Sequence, residues 1–128
     1  MKKLVFSLLF ITVSLIAICQ DNANLNANIA GYKANDTIRI ADCFKLSEIS
    51  LNNKGYSIVS FTLLFSDNGY DFEYVSNSNK FTEEMKNALS KLKLKADVTK
   101  YMVIKDINVQ SSQNKKEKIE NLFYKLKM

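Results

Sequence analysis

The sequence predicts a mainly β domain with one α-helix, an α+β fold of small, antiparallel, sandwich-like form. Three observations lead there. Apolar residues recur with a two-residue period, most clearly in YSIVSFTLLF from Tyr56 to Phe65, and that period with β-branched and aromatic side chains marks strands. A single stretch, FTEEMKNALSKLK from Phe81 to Lys93, carries a helical period instead. Turn residues separate the strand-like pieces, with Asp67-Asn68-Gly69 the strongest hairpin signal because Asn and Gly accept positive φ.

In chain order the first element is a leader. Lys2 and Lys3 precede an apolar run from Leu4 to Ile18, which is short for a bilayer crossing but matches the apolar core of a secretory signal. Ala17 and Cys19 flank Ile18 as in a small-x-small cleavage site, so residues 1–19 are expected to be a signal peptide. The competing reading is a lipobox at Ile16–Cys19 with a lipidated Cys19. Ile18 stands where that motif needs a small residue, which favours simple secretion. The expected location is therefore the periplasm or the exterior, with membrane attachment only through the leader or a lipid on Cys19. Residues 20–27 are polar and asparagine-rich and are expected to be a flexible lead-in. Residues 28–128 are expected to form the domain.

Within the domain, NIAGYK and TIRIADCF read as two short β-prone pieces joined at Ala34-Asn35-Asp36. Leu46–Leu51 reads as a short strand or an irregular turn, and Asn52–Gly55 as a turn. In the strand that follows, Val59, Phe61, Leu63 and Phe65 are expected on one face and Tyr56, Ile58, Thr62 and Leu64 on the other. Both sets are largely apolar, which predicts a central strand covered on both sides. YDFEYVS returns, with Tyr70, Phe72 and Tyr74 on a buried face and Asp71 and Glu73 on a wet one. Thr82 is the expected helix N-cap, Glu83 and Glu84 lie in the first turn, and Phe81, Met85, Ala88, Leu89 and Leu92 form the apolar stripe of a helix at about 82–93. Lys91, Lys93 and Lys95 are expected to offset its dipole. After a turn at Ala96-Asp97, the three-residue step from Ile104 to Ile107 predicts a bulge at Lys105-Asp106 in an otherwise regular strand. The last segment fits a strand through Leu122, Tyr124 and Leu126, or a helix through Ile119, Leu122, Phe123 and Leu126; the strand would close the sheet.

Composition narrows the function. Hydrophobic residues make up 47% and charged residues 24%, as in ordinary globular proteins. Histidine is absent, so neither a Ser-His-Asp nor a Cys-His pair can form, and a metal centre would have to rely on Cys43 and carboxylates. The expectation is a protein that is not an enzyme and holds neither cofactor nor metal. If Cys19 is removed with the leader, Cys43 is the only thiol left and is expected to be a small buried hydrophobe. Residues 20–85 carry five basic and nine acidic side chains, and residues 86–128 carry eleven and four. The lysines of the basic part alternate with apolar residues as solvated faces do, and Arg39 is the only arginine, so no nucleic-acid surface is expected.

Several of these pieces occur together in a known order. Val59-Ser60-Phe61-Thr62 is followed by Ser78-Asn79-Lys80-Phe81-Thr82, then Met85-Lys86, then the strand Met102–Val109 with Asp106-Ile107 inside it. This order resembles the C-terminal domain of the GldM family, gliding-motility and type IX secretion proteins of Bacteroidetes. Ile29-Ala30-Gly31 and Ile38–Phe44 fit more loosely, and the likeness spans about residues 28–126. The chain departs from the family at Leu94–Asp97, where a glycine is usual, and at 111–118, where a Gly/Pro-rich hairpin is usual. The resemblance implies a stand-alone secreted module that touches other envelope proteins, with secretion or motility components as the expected partners. The contact surface is expected on the outer face of the helix (Lys86, Asn87, Lys91) or in the turn Ser76–Lys80. The alternatives are a lipoprotein anchored through Cys19 and a small ligand-binding domain whose pocket uses Tyr70, Phe72, Tyr74 and Tyr101.

Overall fold

The computed structural model describes residues 25–95 and 98–128. The leader with Cys19, most of the lead-in and the Ala96-Asp97 turn lie outside the described residues. The domain is mainly β with a single α-helix, arranged as two layers. The larger layer is a six-stranded sheet built from β2 (Thr37–Arg39), β4 (Tyr56–Asp67), β5 (Tyr70–Ser76), β6 (Lys100–Ser111), β7 (Lys116–Ile119) and β8 (Leu122–Lys127). Its order is β2-β8-β6-β4-β5, with β7 also paired to β6. The pairs are antiparallel except β2–β8, which is parallel. The other layer holds the two-stranded sheet of β1 (Ala27–Ile29) and β3 (Ile49–Leu51), a 3-10 turn (Ile40–Lys45) and helix α1 (Glu83–Ser90).

β1 takes in Ala27 and Asn28, so ordered structure starts one residue inside the segment read as a lead-in. It ends in a tight turn in which Ala30 and Gly31 have φ of 47° and 86°, and Ile29 and Tyr32 exchange both backbone hydrogen bonds (3.1 and 2.7 Å). The strand expected through IADCF stops at Arg39. Beyond it Cys43 and Leu46 are both fully buried, a three-residue step that suits three residues per turn and not a strand.

The β4–β5 hairpin turns at Asn68-Gly69 with φ of 51° and 81°, closed by the pair Asp67–Tyr70, as its sequence predicts. Two bulges shape the middle of the sheet. On β6 the extra residue lies at Asp106 (φ 49°), which lets Met102, Ile104, Ile107 and Val109 all face inward. On β4 the irregularity lies around Val59, between the pairs Ile58–Val109 and Ser60–Asn108. It corrects the expected alternation: Ile58 is buried with Phe61, Leu63 and Phe65, whereas Val59 is pushed outward to 39% exposure. β7 and β8 pair β6 on either side of Asp106, in one continuous register interrupted at Glu120-Asn121. Ile119 and Leu122 therefore take the same three-residue step as Ile107 and Ile104. That step is what made the segment readable as a helix, and it is a bent strand.

The inner face of the large sheet and the second layer form one core, including Phe61, Leu63, Met85, Leu89, Met102, Ile104, Tyr124 and Leu126. Helix α1 enters it through Phe81, whose ring lies 5.3 Å from that of Phe61, and through Met85, Leu89 and Leu92. Thr82 caps it, with its hydroxyl accepting from the Met85 amide at 3.2 Å. The helix is shorter than expected. It closes at Lys91, and the Leu92 amide bonds back to Leu89 at 3.2 Å as the chain drops Leu92 into the core. Lys93 and Lys95 thus lie beyond the helix and not in its last turn.

Candidate functional site

The cross-strand register divides the large sheet into two faces. Phe65 pairs with Phe72 and Met102, and Leu63 with Tyr74 and Ile104, on the inner face. Leu64 pairs with Glu73 and Val103, and Val103 with Phe123, on the outer face, which no other described element covers. Leu64, Val103 and Phe123 consequently form an apolar row across β4, β6 and β8. Phe123 is 50% exposed, and Tyr101 on the same face of β6 is 55% exposed. Thr62 and Val75, one step along from Leu64 and Glu73, are also a pair on this face, and Val75 is 63% exposed.

Charges surround this row. Lys105 hydrogen-bonds Glu73 across β4, which raises its pKa further above the ordinary lysine value. Lys118 reaches Asp106 at 3.2 Å. On the β8 side, Lys125 and Lys127 pair in register with Thr37 and Arg39 of β2, so three cations share one corner of the outer face. An apolar centre with a polar rim is the anatomy of a protein-contact patch, and the central row was hard to read from sequence. β4 looked covered on both faces, whereas described elements cover only its inner face.

β5 is the edge of the sheet and is more open than its aromatic alternation suggests. Tyr70, Phe72 and Tyr74 do lie on the inner face, but Tyr70 is 71% and Phe72 38% exposed, and Tyr74 is half-buried. Phe72 and Tyr74 stack on Phe65 with ring centroids 5.5 and 6.0 Å away, which leaves their outer flanks uncovered. The four aromatics proposed for a pocket are not brought together, because Tyr101 belongs to the outer face. Tyr101 lines a hollow of about 310 Å³ at the hairpin turn, where Lys100 and Asp67 are bound to each other. A larger groove of about 730 Å³ runs between the start of β1 and the β7–β8 connection, lined by Asn26, Asn28, Lys33, Glu117 and Lys118 among others, and by none of these aromatics.

The helix residues expected to make contacts are all accessible to some degree. Asn87 and Lys91 are exposed, while Lys86 is partly covered and bonds Glu83 at 2.9 Å one turn earlier. In the adjoining turn, Ser76 is buried and its hydroxyl donates to the Lys80 carbonyl at 2.7 Å, so it winds the loop and does not face a partner. The Asn79 carbonyl accepts from Ile49 at 2.8 Å and fastens the same loop to β3.

Two buried groups have shifted acidities. Burial, and then the Asp42 charge, push the Cys43 thiol up to about 11, where it donates weakly to the Arg39 carbonyl (3.6 Å). The site therefore disfavours a thiolate, as expected for an inert core cysteine. Burial, and then Asp36, raise the Tyr124 phenol to about 12, and its hydroxyl donates to the Tyr32 carbonyl at 3.1 Å. Among the described residues no three His, Cys, Asp or Glu side chains cluster to hold a metal ion, and no helix is long and apolar enough to cross a membrane. No protein-family model matches the chain, and no curated protein matches it.

Proposed function

We propose that the protein is a non-enzymatic interaction module, exported to the periplasm or the exterior, that binds other envelope proteins, with secretion or motility machinery the partner class that its GldM-like motif order favours. The observation that carries this reading is the outer face of the sheet, which no described element covers. Leu64 and Val103, both partly covered, and the half-exposed Phe123 form a cross-strand apolar row there, and apolar surface rimmed by charge is typical of protein contacts. The outer face of α1 has a weaker physical case. Lys86 is already engaged by Glu83, and Asn87 and Lys91 are ordinary solvated groups.

The test is affinity capture from the host envelope, with the processed chain as bait and a Leu64→Ser/Phe123→Ser double variant as control. The reading expects type IX secretion or gliding components that the control fails to enrich. Recovery of the same unrelated abundant proteins by both baits would contradict it. Charge reversal at Lys86 and Lys91 is expected to leave the capture unchanged.

A further inference from the structure

We infer that the free edge of β5 is a strand-docking site, which takes an extended peptide segment of alternating basic and apolar residues as an added strand of the large sheet. The inference rests on the reading of the protein as an interaction module and names one of its contact sites. β5 runs for seven residues from Tyr70 to Ser76 and pairs residue for residue with β4, without a bulge. It contains no lysine and no proline. Of the devices that ordinarily keep the unpaired backbone groups of an edge from templating another strand, it carries only the acidic side chains Asp71 and Glu73.

The two-residue turn makes Asp67 and Tyr70 a hydrogen-bonded pair, so the backbone groups of Tyr70, Phe72 and Tyr74 face β4. Those of Asp71, Glu73 and Val75 face away, and no backbone hydrogen bond from the rest of the described chain reaches them. β5 therefore offers three outward donors and acceptors in a row.

The side chains specify the occupant. On the inner face Tyr70 and Phe72 leave aromatic surface bare next to the edge, which apolar side chains of an added strand would extend over. On the outer face Asp71 and Glu73 are acidic, and Tyr70–Ser76 holds no cation. Asp71 has the Ser66 hydroxyl as its side-chain partner and Glu73 has Lys105. A strand that places lysine or arginine beside the acids, and apolar residues beside the aromatics, satisfies both faces at once. A second copy of β5 fits less well over the full length of the strand. The antiparallel register centred on Glu73, which alone uses all seven residues, sets Glu73 against itself, and the one centred on Phe72 sets Asp71 against Glu73; among registers of at least five residues, only the one centred on Tyr74 avoids like charges.

The test uses the chain as processed by its host and a short acetylated, amidated peptide alternating lysine with valine and tyrosine. Two control peptides carry glutamate for lysine, or N-methyl groups on alternate amides. The inference expects the lysine peptide alone to bind and to slow amide exchange at Asp71, Glu73 and Val75 by at least about tenfold. It expects Asp71→Lys/Glu73→Lys to weaken binding about tenfold or more. Val75→Pro, which removes an outward donor and leaves the bonds to β4 intact, is expected to do the same. Val75→Lys serves as a second edge variant should the proline variant fail to fold. The inference is overturned if the lysine peptide does not bind, if it binds without protecting those three amides, or if the charge-reversed variant binds equally well. It is also overturned if the three amides are already protected in the isolated chain, by its own first 24 residues or by self-association. Failure of the parent chain to bind the lysine peptide, with envelope capture by the parent bait retained, would remove this site and leave the module reading standing. Failure of the parent bait to capture envelope components would remove the module reading itself.

Discussion

Tyr124 shows how one buried group ties the acid–base behaviour of the domain to its packing. Its phenol is fully buried, donates to the Tyr32 carbonyl and keeps its proton to about 12, whereas an unfolded tyrosine releases it near pH 10. Between those values the unfolded state binds fewer protons, so stability falls as pH rises; below pH 10 the contribution is fully present. The expected loss is on the order of 2 kcal/mol. Urea midpoints at about pH 8 and about pH 11 should show a smaller alkaline drop in Tyr124→Phe than in the parent, after a loss of about 1 kcal/mol at the lower pH for the missing hydrogen bond. Cys43 supplies a second residue-level check. Its thiol is held up to about 11 and is fully buried, so iodoacetamide should label it slowly in the native chain and rapidly in denaturant. The sequence reading placed Cys43 correctly because a lone cysteine with no flanking histidine or arginine to lower its pKa is most often a small buried hydrophobe. It misassigned Ile58 and Val59, since a β4 bulge exchanges the faces of adjacent residues and both are β-branched apolar side chains that give no local sign of it.

At the scale of elements, α1 and the β4–β5 hairpin were the most legible parts, because cap, stripe and turn chemistry are local. Thr82→Ala should cost about 1 kcal/mol, read as a shift in urea midpoint with unchanged slope, through loss of the bond to the Met85 amide. The C-terminal strands were ambiguous for a non-local reason. Ile119 and Leu122 step by three because they follow the bend that Asp106 imposes on β6, and that correspondence exists only once the two strands pair. The bend makes a sharp prediction. Inserting one alanine between Ile104 and Lys105, with the bulge at Asp106 kept, puts the two halves of β6 out of phase and moves either Met102 and Ile104 or Ile107 and Val109 out of the core, whereas deleting Asp106 leaves all four on alternate positions facing inward. Each such side chain is worth roughly 1.5–3 kcal/mol, a large share of the 5–15 kcal/mol typical of whole domains. The insertion variant is expected to lose its cooperative thermal transition, whereas the Asp106 deletion and Asp106→Gly, which keeps the positive φ, should both retain it.

For the whole molecule, the two layers are unequal, and that inequality is the basis of the functional reading. α1, the 3-10 turn and the small sheet cover the inner face of the large sheet, and no described element covers the outer one. The sequence suggested a buried β4 because both of its faces are apolar. The structure puts Leu64 in a row with Val103 and Phe123 on a face that no described element covers, so apolarity that reads as core in one dimension lies on an outer face in three. The most direct measurement of this claim is photo-crosslinking in the living host, with a photoreactive amino acid placed singly at Phe123 or Val75 on the outer face, or at Asn114 in the exposed turn between β6 and β7. The account predicts discrete adducts with envelope proteins from Phe123 and Val75 and none from Asn114. Absence of adducts from both outer-face positions, in a chain that is exported and folded, would contradict it.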